Sequence, residues 1–284
     1  MGIGLEFLAD DIRWRGGSGA AGSPVLFSYS FLTSPSLPAG LSLTRATIGT
    51  YLDGSGVLQT AAIDAARFDH TYNGSAWDNA GLLVEEQRTN SLVSPIMNSS
   101  WGANNIVGVT SVPGLDGNAT SAYTITPDTN NTFHQSSSPN TFTTSSPASY
   151  SIYAKANGYT QFDVRESGTT GAGAAFTASG AGSVGAVFNA GGVTVTSQQI
   201  IKVSSSYYRV SALYSPTGSM TLSLGVVPFD GGYVSGNPLV YNFAGNGTNG
   251  IIFYGPQQEV GAFPTSYIFT SGSATTRSAD VVSA

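Results

Sequence analysis

Glycine or proline interrupts nearly every stretch of this 284-residue chain, and no window keeps the three-and-four spacing of apolar residues with which a helix buries one face. Short runs recur instead: VLFSYSFL (25–32), GLLVEE (81–86), SAYTIT (121–126), SYSIYAKA (149–156), TQFDVRE (160–166), YYRVSALY (207–214), MTLSLGVV (220–227) and GIIFYG (250–255). In SYSIYAKA, Tyr150, Ile152 and Ala154 share one face while Ser151, Tyr153 and Lys155 share the other, the pattern of a half-buried strand with one face toward solvent. YYRVSALY repeats it, with Tyr208, Val210, Ala212 and Tyr214 set against Tyr207, Arg209 and Ser211. A slip of one residue would expose the whole apolar set, so register is well specified. The fold class expected is all-β, an antiparallel β-sandwich.

Charged residues are 9% of the chain, far below the roughly one quarter of ordinary globular proteins, so uncharged polar groups must do the solubilising. Ten Lys and Arg stand against 16 Asp and Glu, and lysine occurs only at Lys155 and Lys202. A basic stripe that tracks phosphates cannot be assembled from these, which argues against a nucleic-acid partner. No apolar run approaches the roughly 20 residues that cross a bilayer, and MGIGLEFLADDIRW lacks the order of an export signal, so no membrane partner is expected. Without cysteine, the fold rests on burial and backbone pairing.

Gly, Ser and Pro loops at 16–24 and 33–40 set off residues 1–40, which read as an extended N-terminal arm that docks on partners. Residues 41–91 read as a β-rich linker with a β-hairpin segment, 92–270 as the principal sandwich, and 271–284 as a C-terminal tail.

Tests for chemistry point away from an enzyme. His70 and His134 stand in no metal-binding spacing, and no strand-turn-helix carries a nucleophile elbow. Glu85 and Glu86 are adjacent, so in a strand they point to opposite faces and cannot jointly flank a glycosidic bond. Pairing of one of them with Arg88, Arg45 or Arg67 would be a structural ion pair. Two G-x-G-x-x-G patterns, at Gly17 and Gly180, open no helix and read as loops. Asp116 with Asn118, and Asp128 with Asn130, begin a calcium loop that lacks its terminal glutamate; Asx turns are the preferred reading, and no cofactor is expected. Sugar binding needs an exposed aromatic plane beside hydrogen-bonding groups, and three loop aromatics are candidates for stacking on a glycan: Trp77, Tyr159 and Tyr233.

The runs LSLTRATIGTYLDGSGVLQTAAIDAARFDH (41–70), GLLVEEQRTNSLV (81–93) and GPQQEVGAFPTSYIFTSGSATTRSADVV (255–282) resemble a set of phage virion proteins, chiefly tail-fibre, tail and head-attached proteins. YSIYAKANGYTQF, SSYYRVSALY and GNGTNGIIFYGPQQE are similar to the family's jelly-roll strands, which are of the carbohydrate-binding type. The resemblance implies a jelly roll on the surface of a virion, assembled in the host cytoplasm. It implies virion partners reached through the N-terminal arm, a homo-oligomer such as a trimer, and host-surface glycan as ligand. A head decoration or cement protein without a sugar ligand is the alternative, and a polysaccharide depolymerase ranks third. The flanking motifs, opening at Thr44-Arg45-Ala46 and closing near Thr276 and Arg277, are implied to be structural. Arg45, Glu86, Arg88 and Asn90 suit the tying of loops or subunits.

Overall fold

A computed structural model describes residues 3–8, 11–16, 25–94, 101–167, 171–232 and 241–283, with side chains from residue 30 onward. The protein is all-β, with more than half of the described residues in strands, about twice the usual share, and no helix among them. The named strands among the described residues all pair antiparallel. Two compact units form, one from residues 1–86 with 278–284 and the other from residues 87–277. These limits differ from the expected breaks at 40, 91 and 270, because strand pairing rather than loop composition closes each unit.

In the first unit, β1 (Ile3–Leu8), β2 (Asp11–Gly16) and β3 (Val25–Ser30) make a three-stranded sheet. The extended arm is thus corrected to a meander. Its register sets Leu5 opposite Trp14 and Phe7 opposite Ile12. Then come β4 (Ser42–Thr44), β5 (Gly49–Leu52), β6 (Leu58–Ala61), β7 (Phe68–Tyr72) and β8 (Trp77–Leu82), with β5–β6 and β7–β8 each paired. The turn between β5 and β6 is held by Asp53, whose Oδ1 accepts from the amides of Ser55 (2.8 Å) and Val57 (3.0 Å). Residues Val281–Ser283 pair with β4, so the C-terminus is a strand of this unit and not a tail.

The second unit opens with β9 (Arg88–Asn90), followed by β10 (Gly102–Asn104), β11 (Ile106–Val112), β12 (Ala122–Pro127), β13 (Gln135–Ser137) and β14 (Phe142–Thr144). Next are β15 (Ala148–Asn157), β16 (Gln161–Glu166), β17 (Gly173–Thr177), β18 (Ser183–Phe188), β19 (Val193–Lys202) and β20 (Tyr207–Pro216). The unit ends with β21 (Met220–Leu222), β22 (Leu224–Phe229), β23 (Gly250–Val260) and β24 (Thr275–Arg277), which pairs with β9. Two six-stranded sheets result, ordered β10-β13-β22-β16-β17-β18 and β11-β12-β23-β15-β20-β19. They share one core. Phe162 of the first sheet meets Phe253 of the second edge to face at 5.3 Å, and the Tyr214 hydroxyl donates across the layer to the Val164 carbonyl at 2.5 Å. Each fully buried aromatic or aliphatic side chain here contributes about 1.5–3 kcal/mol relative to exposure.

The inner faces of β15 and β20 carry the residues expected from alternation, all buried: Tyr150, Ile152, Ala154, and Tyr208, Val210, Ala212, Tyr214. Their outer faces are not open to solvent as a half-buried strand implies. Ser149, Ser151 and Tyr153 are buried too, because the segment after β23 folds back over them. Glu259 holds that segment, accepting from the Thr265 amide (2.9 Å) and hydroxyl (2.6 Å), and Gln257 Oε1 accepts from the Ile268 amide at 2.6 Å.

Candidate functional site

A bulge in β23 shapes the outer face of the second sheet. Tyr153 pairs with Tyr254 but Ser151 pairs with Gln257, so Gly255 and Pro256 together oppose one residue of β15. Gly255 adopts φ +58°, and a Cβ there would press on the rings of Tyr153 and Tyr267 at 3.3 Å. The extra residue keeps Tyr254, Gln257 and Glu259 on one face, where strict alternation would have turned the last two inward. Tyr153, Tyr254 and Tyr267 consequently cluster, with ring centroids 5.8 Å apart for Tyr153–Tyr254 and for Tyr254–Tyr267.

The loop between β11 and β12 closes on this cluster. Gly114 is required there, since a Cβ would meet Ser121 Oγ at 2.1 Å and the Tyr254 ring at 2.8 Å. Asp116 caps the turn, with Oδ1 accepting from the Asn118 amide (3.1 Å) and the Ser121 hydroxyl (2.5 Å), and Asn118 Oδ1 accepts from the Thr120 amide at 3.1 Å. These are the Asx turns read from the sequence. The Tyr207 hydroxyl donates to the Pro113 carbonyl at 3.0 Å and fixes the start of the loop. Between loop and sheet lies a pocket of about 340 Å³, lined by Asp116, Asn118, Thr120, Tyr123, Tyr254 and Tyr267, with Phe269 at its edge. Phe269 is 54% exposed, so an aromatic ring stands open beside hydroxyl, amide and carboxylate groups.

Burial, and after it the Asp116 carboxylate, pushes the Tyr207 phenol up to about 12. Burial likewise holds Tyr254 and Tyr267 above the ordinary phenol range, with Asp116 adding to both. All three therefore stay neutral and keep a proton to donate. Burial also raises the Glu259 carboxyl, against the opposing hydrogen bonds of Thr265 and Gln257 and the charge of Arg209.

Of the three loop aromatics proposed from sequence, Tyr159 and Trp77 do not line this pocket. Tyr159 is 8% exposed and lies in the core, edge-on to Phe243 at 5.9 Å, so neither ring face is open to a sugar. Trp77 begins β8 rather than lying in the turn before it; its ring packs 4.9 Å from Tyr72 and covers Gly56, where any Cβ would overlap it. Tyr233 lies outside the described residues. The pocket aromatics carried a partial signal, since Tyr254 projects outward from GIIFYG and Asp116 stood out as a turn former. What brings Tyr267 and Phe269 to them is the fold-back after β23, which local patterning does not encode.

The residues proposed as ties sit as follows. In the first unit the buried Arg45 donates from Nη1 to Asp280 Oδ1 (2.8 Å), from Nη2 to the Ala62 carbonyl (2.7 Å) and from Nε to the Thr47 carbonyl (2.8 Å). Arg67, also buried, donates to Asp280 Oδ2 (2.5 Å) and to Glu85 Oε2 (2.8 Å). Two guanidiniums thus face two carboxylates, and Gly49 leaves room for both, as its Cβ would lie 3.1 Å from each side chain. Glu85 joins this network, while Glu86 is exposed. In the second unit, Arg88 donates to the Val260 carbonyl and lies 4.9 Å from the Phe263 ring centre. Asn90 donates to the Ile268 carbonyl (2.9 Å) and accepts from the Leu92 and Gln258 amides (3.1 Å each). Both histidines serve main-chain ties: His70 Nδ1 lies 3.0 Å from the Leu52 carbonyl, and His134 contacts the carbonyls of Asn105 (2.6 Å) and Phe243 (2.9 Å). No protein-family model matches the chain, and no curated protein sequence matches it either.

Proposed function

We propose that the protein is a non-enzymatic surface component of a phage or phage-like particle, and that its second unit is a jelly roll that recognises host-surface glycans. The strand order supports the jelly roll. If β12, β13, β15, β16, β17, β20, β22 and β23 are counted one to eight, the neighbours run 1-8-3-6 in one sheet and 2-7-4-5 in the other, as in two nested Greek keys. Support for a particle component comes from the sequence resemblance, whose motifs at Arg45, Arg88–Asn90 and Thr275–Asp280 are the ones engaged in buried ties and short strand pairs. A fold of this kind serves many roles, so the functional reading rests on the site.

The observation that carries it is the pocket, which the exposed Phe269 lines together with Asp116, Asn118 and Thr120. An apolar ring face beside fixed polar groups fits the two sides of a sugar ring. Among the described residues one carboxylate lines the pocket, whereas glycoside hydrolysis employs a pair, which favours recognition over cleavage. Copies displayed together would turn weak individual contacts into firm attachment. Labelling intact particles with an antibody fragment against this chain and imaging them by electron microscopy tests the assignment. Label at a tail tip or fibre agrees with adhesion, and label spread as a lattice over the capsid would replace it with decoration.

A further inference from the structure

We infer that the Asp116 pocket takes a sugar bearing no anionic group, a neutral or acetamido hexose, and disfavours uronic, sialic and sulfated sugars. The inference rests on the glycan-binding reading above and narrows it. Among the described residues that line the pocket, Asp116 is the one formal charge, beside Ser111, Asn118, Thr120, Ser121 and the aromatic side chains. The nearby cations are engaged elsewhere. Lys155 lies over the Tyr207 ring at 5.6 Å, while Arg209 lies over Tyr153 at 5.6 Å and donates to the Thr265 carbonyl. An entering anion would meet a like charge with no guanidinium or ammonium among the lining groups to balance it. Across 4 Å of water such repulsion amounts to about fivefold in affinity, and to more where solvent is partly excluded.

The same carboxylate suits hydroxyl groups. It offers about four acceptor positions. The Asn118 amide and the Ser121 hydroxyl use two, and the Tyr254 hydroxyl bears on it as well, which leaves acceptor capacity for a ligand hydroxyl. Among the described residues, Asn118 Nδ2 donates to no protein atom and supplies a donor at the rim. Phe269 provides the apolar plane. At about 340 Å³ the volume lies at the small end for ligand pockets, which fits a short glycan segment rather than a long chain laid in a groove.

The full-length protein, alongside D116N and F269A variants verified as folded by their melting curves, is applied to an array of neutral, acetamido, uronate, sialylated and sulfated oligosaccharides. Binding about fivefold or more stronger to the neutral and acetamido members than to the acidic ones, about tenfold weaker in F269A and with the acidic disadvantage lost in D116N, is the expected result. Wild-type binding to acidic members at equal or greater strength would overturn the charge selection while leaving glycan recognition in place. Binding to no member would overturn glycan recognition itself. Neutral-sugar binding unchanged in both variants would move the site away from this pocket and so overturn the inference.

Discussion

Arg67 and Asp280 are joined in the interior of the first unit, each side chain fully buried, and the loss of either breaks a buried network in which Asp280 also meets Arg45 and Arg67 also meets Glu85. Breaking such a pair is costlier than never having built it. Arg67→Met should destabilise the first unit by about 3–5 kcal/mol in urea denaturation, and Arg45→Lys should also destabilise it, because an ammonium cannot reproduce three guanidinium bonds in a fixed plane. Glu259 gives a prediction in pH. Its carboxyl is raised above the ordinary 4.5, so the folded state binds this proton more tightly than the unfolded chain does. The linked stability is fully present below about 4.5 and is lost as pH rises through the raised value. The melting temperature of the wild type minus that of Glu259→Gln should therefore increase on acidification from neutral pH toward 4.5, and a difference independent of pH would contradict it. Residue by residue, the sequence exposed candidates for ties more readily than candidates for contact with a ligand. An arginine in a chain with few charges must be satisfied, and that signal survives without coordinates. Whether a tyrosine lies in a core, as Tyr159 does, or at a pocket, as Tyr254 does, depends on which sheet layer covers it.

At the scale of elements, strand alternation was legible wherever one face alone is apolar, as in β15 and β20. It misled on solvent exposure because the fold-back after β23 buries the second face, and that segment is held by Glu259 and Gln257 rather than by an apolar period. The C-terminal strand was also invisible locally, since SADVVSA acquires its structure from β4, more than 230 residues earlier in the chain. Removing residues 278–284 takes away both this strand and Asp280. Hydrogen exchange should then show lost protection across residues 42–86 and retained protection in β12, β15, β20 and β23; uniform loss in both units would contradict the division. Gly250 tests the sheet itself. A Cβ at that position would lie 2.3 Å from the Ile125 carbonyl oxygen, so Gly250→Ala must push β23 away from β12, at a cost of about 1–3 kcal/mol measurable by denaturant titration.

For the molecule as a whole, low charge, missing helical period and absent cysteine were enough to place it among all-β proteins held by burial. They were not enough to divide it, because each unit gathers residues from distant parts of the chain: 278–284 join the first, and 88–90 pair with 275–277 in the second. The functional reading depends on the second unit carrying an open aromatic ring at a polar pocket whose carboxylate is already oriented by its turn. Preorganisation of that kind favours binding, since the groups need little further ordering when a ligand arrives. The most direct measurement is the binding of fluorescently labelled full-length protein to host cells and to their purified surface polysaccharide, with Phe269→Ala, verified as folded, in parallel. Saturable wild-type binding to both, weakened about tenfold by the substitution, is the expected result; equal binding by the two proteins, or none by either, would contradict glycan recognition at this pocket.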